Sequence, residues 1–228
     1  MERHFDEELR ELKEKLLQMA ALAEDSIARA IRALVERDSA LAQHVIQSDE
    51  EINMLEIEVD EICLKLLALR QPIAKDLRFI ASAMKINNDL ERIGDLSVNI
   101  AQRTLDLMKE PLLKPLIDIP RMAQLAQKMV KDSLDAFVNL DAEMALDVCR
   151  RDDEVDQLNH QIFRELLTYM IQDPKNITRS VDLILIGRHL ERIADHSTNI
   201  AEDVVYMVKG RTIKHHIEEK TGGDRPNA

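Results

Sequence analysis

Two segments carry the residue types most able to do chemistry in this chain. Leu90-Glu91-Arg92-Ile93-Gly94-Asp95-Leu96-Ser97-Val98-Asn99-Ile100-Ala101 recurs as Leu190-Glu191-Arg192-Ile193-Ala194-Asp195-His196-Ser197-Thr198-Asn199-Ile200-Ala201. At about 100° per residue, Glu91, Asp95 and Asn99 stack on one side of a helix. Glu191, Asp195 and Asn199 do the same, and Ile86, Leu90, Ile93, Ser97 and Ile100 fall on the opposite side. A second repeated stretch lies upstream, where Asp49-Glu50-Glu51-Ile52-Asn53-Met54-Leu55 matches Asp152-Asp153-Glu154-Val155-Asp156-Gln157-Leu158. It sets up an acidic stripe of Asp49, Asn53, Glu56 and Asp60, and another of Asp152, Asp156 and His160. Carboxylates are hard oxygen ligands suited to magnesium, manganese, calcium or iron. Like charges four residues apart destabilise a helix by roughly 0.2–0.5 kcal/mol per pair, and a cation between them would reverse the sign. If the two helices pack side by side, Asp49, Asn53, Glu91 and Asp95 converge on one candidate metal site. Asp152, Asp156, Glu191 and Asp195 then form a second. A plain solvated face, with Arg92 and Arg192 pairing locally, is the alternative. The same polar types kept in register in two otherwise diverged halves weigh for a site. His189 and His196 have no counterparts in the first segment, where Asp89 and Leu96 stand, and are expected to be incidental surface residues.

The elements that must position these residues read as helices throughout. The chain of 228 residues is 45% hydrophobic, with five glycines, six prolines, no Trp and 3% aromatics. That composition disfavours sheets and their hairpins and favours helix. Leu9, Leu12, Leu16, Met19, Ala23, Ile27, Ala30 and Leu34 form the first amphipathic stripe. Asp38-Ser39 offers a break and an N-cap. Leu41, Val45, Ile52, Leu55, Val59, Ile62, Leu66 and Leu69 form the second stripe, which Gln71-Pro72 ends. Leu77, Ile80, Met84, Ile86, Leu90, Ile93, Ile100 and Leu107 form the third. Pro111, Pro115 and Pro120 then exclude a continuous helix. Three further helices are expected, from near Pro120 to Asn139, from Asp141 to Gln172, and from Ile177 to Val208, with Gly210 as C-cap. The order of features repeats, so the fold expected is all-α, with two tandem three-helix bundles related by a pseudo-two-fold axis. Residues 1–110 form the first unit, 111–120 a Pro-rich linker, 121–212 the second unit and 213–228 a mobile tail.

A net charge of -12 makes nucleic acid a poor partner. No nucleophile–base pair, P-loop or HExxH is present, and no catalysis is expected. A di-iron carboxylate enzyme would need Glu-x-x-His pairs inside a bundle, whereas the spacing here is Glu-x-x-x-Asp on the polar side. Cys63 and Cys149 are not a CxxC pair and read as ordinary half-buried thiols. Without a signal peptide or a long apolar run, a cytoplasmic location is expected.

In combination these features resemble the PhoU family. The likeness rests on Asp-x-x-x-Asn/Asp in the second helix of each unit and Glu-Arg-Ile-x-Asp in the third. Pro72-Ile73-Ala74-Lys75-Asp76-Leu77-Arg78 also resembles the family's Pro-x-Ala-x-Asp-Leu-Arg segment. The resemblance spans roughly Leu9 to Val208. It implies a negative regulator of phosphate uptake and of the phosphate-starvation response, acting as an adaptor. Its partners would be a sensor histidine kinase and the ATPase of a phosphate transporter, and the chain would be a homodimer. It further implies iron, zinc or another metal at Asp49, Glu91, Asp95, Asp152, Asp156, Glu191 and Asp195. Asn53 stands where an acidic residue would complete the first motif, and the Pro174 segment departs from the Pro-x-Ala-x-Asp-Leu-Arg pattern. A relative serving another phosphate transporter, or a purely structural scaffold, shares all of these features.

Overall fold

The computed structural model describes residues 2–213 and, among them, only helices: α1 (Glu2–Glu36), α2 (Ser39–Arg70), α3 (Ala74–Leu107), α4 (Asp118–Asn139), α5 (Ala142–Gln172) and α6 (Ile177–Lys209), with one 3₁₀ turn at Pro174–Asn176. Beyond residue 213, the expected mobile tail lies outside the described residues. The helix ends have local causes. Asp38 caps α2 by accepting from the Leu41 amide, and Asp141 caps α5 by accepting from those of Glu143 and Met144. Gln71 ends α2 in the left-handed conformation, and Gly210 does the same after α6. Pro120 sits in the first turn of α4, where its missing N–H leaves no bond unmade. Arg37, in the α1–α2 turn, donates to the carbonyls of Leu107, Met108 and Glu110 and so closes the end of α3.

Helices α1, α2 and α3 pack on one another, as do α4, α5 and α6, and α3 lies against α6 with α1 against α4. The buried apolar residues of all six helices join in one core. Residue n of α3 matches residue n + 100 of α6, and the seam obeys that exchange. Arg103 contacts Asp182 at 3.4 Å, and Ser82 Oγ donates to the Asp203 carbonyl at 3.4 Å. Nearly all the apolar stripes are buried, but Leu69 and Leu77 are 65% and 46% exposed. Both lie at the α2–α3 turn, where the bundle ends and, among the described residues, no neighbour covers the stripe. Among the described residues no helix is long and apolar enough to cross a membrane.

The two units bring their second and third helices together differently. A Cβ on Gly94 would stand 3.0 Å from Ile52 Cδ1 and 3.1 Å from Asp49 Oδ1, so α2 approaches α3 where a side chain is lacking. Two turns earlier, Asn87 Nδ2 donates to the Glu56 carbonyl and to Asp60 Oδ1. In the second unit Gly187 replaces Asn87, and Asn159 of α5 occupies the space, its Oδ1 3.1 Å from where a Cβ would be. The amide has changed helices. Gly94→Val is expected to destabilise by about 2–3 kcal/mol through overpacking. Gly94→Ala should be near neutral, because a helix-propensity gain of about 1 kcal/mol offsets the tight contact. Urea unfolding checks this, and equal stability of the two variants would contradict the close approach.

Candidate functional site

In the first unit the acidic residues meet in the crease between α2 and α3. They are partly buried there, with the Asp95 side chain still 44% exposed. Asn53 Nδ2 donates to Asp49 Oδ2 at 3.1 Å. Asp49 Oδ1 and Glu91 Oε2 are buried without a hydrogen-bond partner. Burial raises the Asp49 carboxyl above its usual range, opposed by the Asn53 bond and reinforced by Asp95. Glu91 is raised by burial and by Asp95, held back by Arg92, and raised further by Glu56 and Asp49. Arg92 lies 3.4 Å from Glu91 and 3.6 Å from Asp95. The local pairing weighed from the sequence therefore exists, but the guanidinium is half-exposed and relieves the crowding only in part.

The second unit repeats the arrangement with more charge. Burial, then Asp195, Asp156, Asp153 and Glu191, push Asp152 up to about 6. Asp195 is raised by partial desolvation and by Asp156, with His196 and Arg192 pulling the other way. Asp156 stands where Asn53 stands in the first unit, so no amide relieves Asp152. His160 is exposed and takes no part.

Sequence reasoning grouped Asn99 and Asn199 with these carboxylates, and the structure separates Asn199 from them. Asn199 Nδ2 reaches across the α3–α6 seam to Asp89 Oδ1 at 3.4 Å. His196 is no incidental surface residue, since its Nδ1 lies 2.8 Å from the same oxygen, with both side chains largely buried. His189 is half-buried, its Nδ1 enclosed without a partner. Burial and then Arg192, Arg103 and Arg188 push it down to about 4, so it is neutral at physiological pH. Lys85 pairs with the buried Asp203 at 2.9 Å on the same seam. One signal for these residues was available. Asp89 falls where the second unit has a histidine, and Asp203 where the first has Arg103, so these are charge changes between repeats that are otherwise alike. Burial pushes the thiols of Cys63 and Cys149 up to about 12 and about 11, which removes thiolate chemistry at neutral pH.

The donors in both clusters are carboxylate oxygens and one amide. That set fits a hard cation better than zinc, which favours His and Cys. The buried Asp49 oxygen without a partner and the Glu91 oxygen met only by Arg92 at 3.4 Å in the first crease, and the crowded charge of the second, are the features a cation would relieve. Among the described residues, no three His, Cys, Asp or Glu side chains stand in ready ligand geometry, so side chains of Asp49, Glu91 and Asp95, or Asp152, Asp156, Glu191 and Asp195, would have to turn inward to hold one.

The PhoU domain family matches residues 16–104 and again residues 119–204. The phosphate-specific transport system accessory protein PhoU homolog of Aquifex aeolicus is 44% identical over 214 residues, spanning 93% of this chain and 97% of its own. The protein of the same description from Pseudomonas putida is 43% identical, spanning 92% of this chain and 83% of its own. The crystal structure of PhoU from Pseudomonas aeruginosa superposes with a TM-score of 0.88 at 43% identity, covering 91% of this chain and 100% of the other. That of the phosphate transport system regulatory protein PhoU from Streptococcus pneumoniae superposes with a TM-score of 0.86 at 32% identity, covering 92% and 99%.

Proposed function

The chain belongs to the PhoU family, and from that premise we propose that it is a negative regulator of phosphate uptake and of the phosphate-starvation response. It would act by docking and not by catalysis. In this reading it links a phosphate transporter, through the ATPase, to a sensor histidine kinase, and works as a homodimer on the cytoplasmic side. The observation that carries the docking mechanism is the pair of creases in which carboxylates are crowded and only partly neutralised. Such surfaces seek positive charge, which a basic partner patch or a metal can supply. When bound, a hard ion such as iron or another di- or trivalent metal would neutralise Asp49, Glu91 and Asp95, or Asp152, Asp156, Glu191 and Asp195. These residues would then hold α2 against α3 and α5 against α6 and fix the shape offered to the partner.

The test is a phosphate-repressed alkaline phosphatase reporter in a host lacking its own PhoU, read in high phosphate. The wild-type chain is expected to restore repression. The variant Glu91→Gln/Asp95→Asn/Glu191→Gln/Asp195→Asn should lose most of it at equal protein level. High reporter activity with folded wild-type chain present would sink the regulatory reading in favour of service to another transporter. Full repression by the variant would leave regulation standing and remove the creases from it. Elemental analysis of the purified protein, before and after the same substitutions, checks the metal separately.

A further inference from the structure

The motif Pro72-Ile73-Ala74-Lys75-Asp76-Leu77-Arg78 is not used by the carboxylate creases. Counting from Lys75 to Glu91 at about 1.5 Å per residue puts it roughly 24 Å away from them along α3. It forms one wall of a groove of about 520 Å³ at the end of the molecule. The floor is apolar: Leu9 of α1, Phe79 of α3, Leu140 of the α4–α5 turn, and Met207 and Val208 of α6. The rim carries Arg10, Lys13, Lys75 and Arg78 against one carboxylate, Asp76. Arg10 also pairs with Glu14 at 3.8 Å, so the excess positive charge of the lining rests on Lys13, Lys75 and Arg78 against Asp76, on a chain whose net charge is -12. Arg78 Nε is buried without a hydrogen-bond acceptor. Beside the groove, Ile73 and Leu77 are 77% and 46% exposed, extending the apolar strip over the first turn of α3. Apolar surface of this kind, framed by charge of one sign, marks an interaction site.

We propose that this groove docks a segment of a partner protein that presents aliphatic side chains flanked by carboxylates. The aliphatic groups would lie on Phe79, Leu140 and Val208, and the carboxylates would pair with Lys75, Arg10 and Arg78. A helix lying in such a groove reads its partner through anchors three and four residues apart. The strip of Ile73 and Leu77 beyond the rim favours an extended polypeptide over a small molecule, which the groove alone would contain. The opposite polarity of groove and creases lets two partners of unlike charge bind one chain without competing. This site stands whether or not the regulatory reading does.

The full chain is titrated with a synthetic amphipathic helix carrying a Leu stripe flanked by Glu, and with its twin flanked by Lys. Binding is followed by fluorescence anisotropy. The Glu peptide should bind saturably, and Arg10→Glu/Lys75→Glu should weaken it by at least about tenfold. Both positions are exposed, and an unchanged melting curve confirms that the variant folds. Any binding of the Lys peptide to the acidic surface elsewhere should survive the substitutions. The proposal is overturned if the Glu peptide does not bind, or binds the variant equally well. It is also overturned if sedimentation shows that Arg10→Glu/Lys75→Glu dissolves a wild-type dimer, because a second copy is then the occupant. Loss of binding to anionic phosphatidylglycerol vesicles in the variant, without an effect on the peptide, would assign the groove to a membrane surface and overturn it too.

Discussion

Phe137→Ala is expected to destabilise the protein by about 3–5 kcal/mol, the usual loss for deleting a buried aromatic ring. Phe137 is 1% exposed. Its ring stacks on Phe79 with centroids 5.6 Å apart and planes 18° apart. Phe79 is on α3 and Phe137 on α4, so the stacked pair bridges the two three-helix units. Nearby, Lys13 of α1 donates to the Val138 carbonyl of α4 at 2.9 Å. The loss is therefore expected at the junction between units and not inside either of them. At roughly 2–4 °C per kcal/mol for a chain of this size, the midpoint of thermal unfolding should fall by about 10 °C. Phe79→Ala should cost less, because Phe79 is only partly buried and opens onto the groove. Calorimetry decides the matter, and a loss below about 1 kcal/mol for Phe137→Ala would mean that the units do not depend on this contact.

Asp152→Asn is expected to stabilise the metal-free protein at pH 7.5. The Asp152 carboxyl has an ordinary value near 3.8 and is pushed up to about 6 in the folded chain. The native state therefore holds a proton that the unfolded state has released, in the window between those values. Unfolding in that window therefore releases a proton, so the penalty is complete above about pH 6 and fades as pH falls toward 3.8. The gap corresponds to about 3 kcal/mol at 1.36 kcal/mol per unit, and partial exposure of the crease reduces this to about 1–2 kcal/mol. A neutral amide removes the penalty. Thermal melts in EDTA should show the variant above wild type by a few degrees at pH 7.5 and level with it at pH 4. An equal gain at both pH values would mean that the charge crowding is not the cause. Saturating wild type with a divalent cation at pH 7.5 should reproduce the gain if the crease binds it.

The same crease shows how the candidate residues were legible in the sequence. Spacing put Asp49 and Asn53 on one stripe and Glu91 and Asp95 on another, as it did Asp152 and Asp156, and Glu191 and Asp195, to meet only if the helices packed side by side; α2 does pack on α3 and α5 on α6. What spacing missed was how deep they lie. Gly94 allows α2 close enough to bury Asp49 Oδ1, and that closeness turns an acidic surface into a strained one. Asn199 shows the opposite error. Four-residue spacing sets Asn199 in line with Asp195, yet each step of four turns the helix by about a further 40°. After two such steps from Glu191 the side chain has swung to the seam, where Asp89 meets it.

What the sequence determined by itself was local or periodic. Asp38, Asp141 and Gly210 set helix ends because a cap acts within one turn. The stripes from Leu12 to Leu34 and from Ile80 to Leu107 fixed which side of each helix is buried, because 3.6 residues per turn leaves one apolar face. The register of the two repeats announced the duplication. Only the tertiary structure decided the fate of the other side. An amphipathic helix at a surface has one buried face, but α3 is packed by α1, α2 and α6, and α6 by α3, α4 and α5. A helix with three neighbours has little solvated side left. Its polar residues must therefore find partners inside the molecule, as Asp89 does in His196 and Asp203 in Lys85. Which partner each finds depends on how the two units are set against each other, and no spacing within a single helix contains that information.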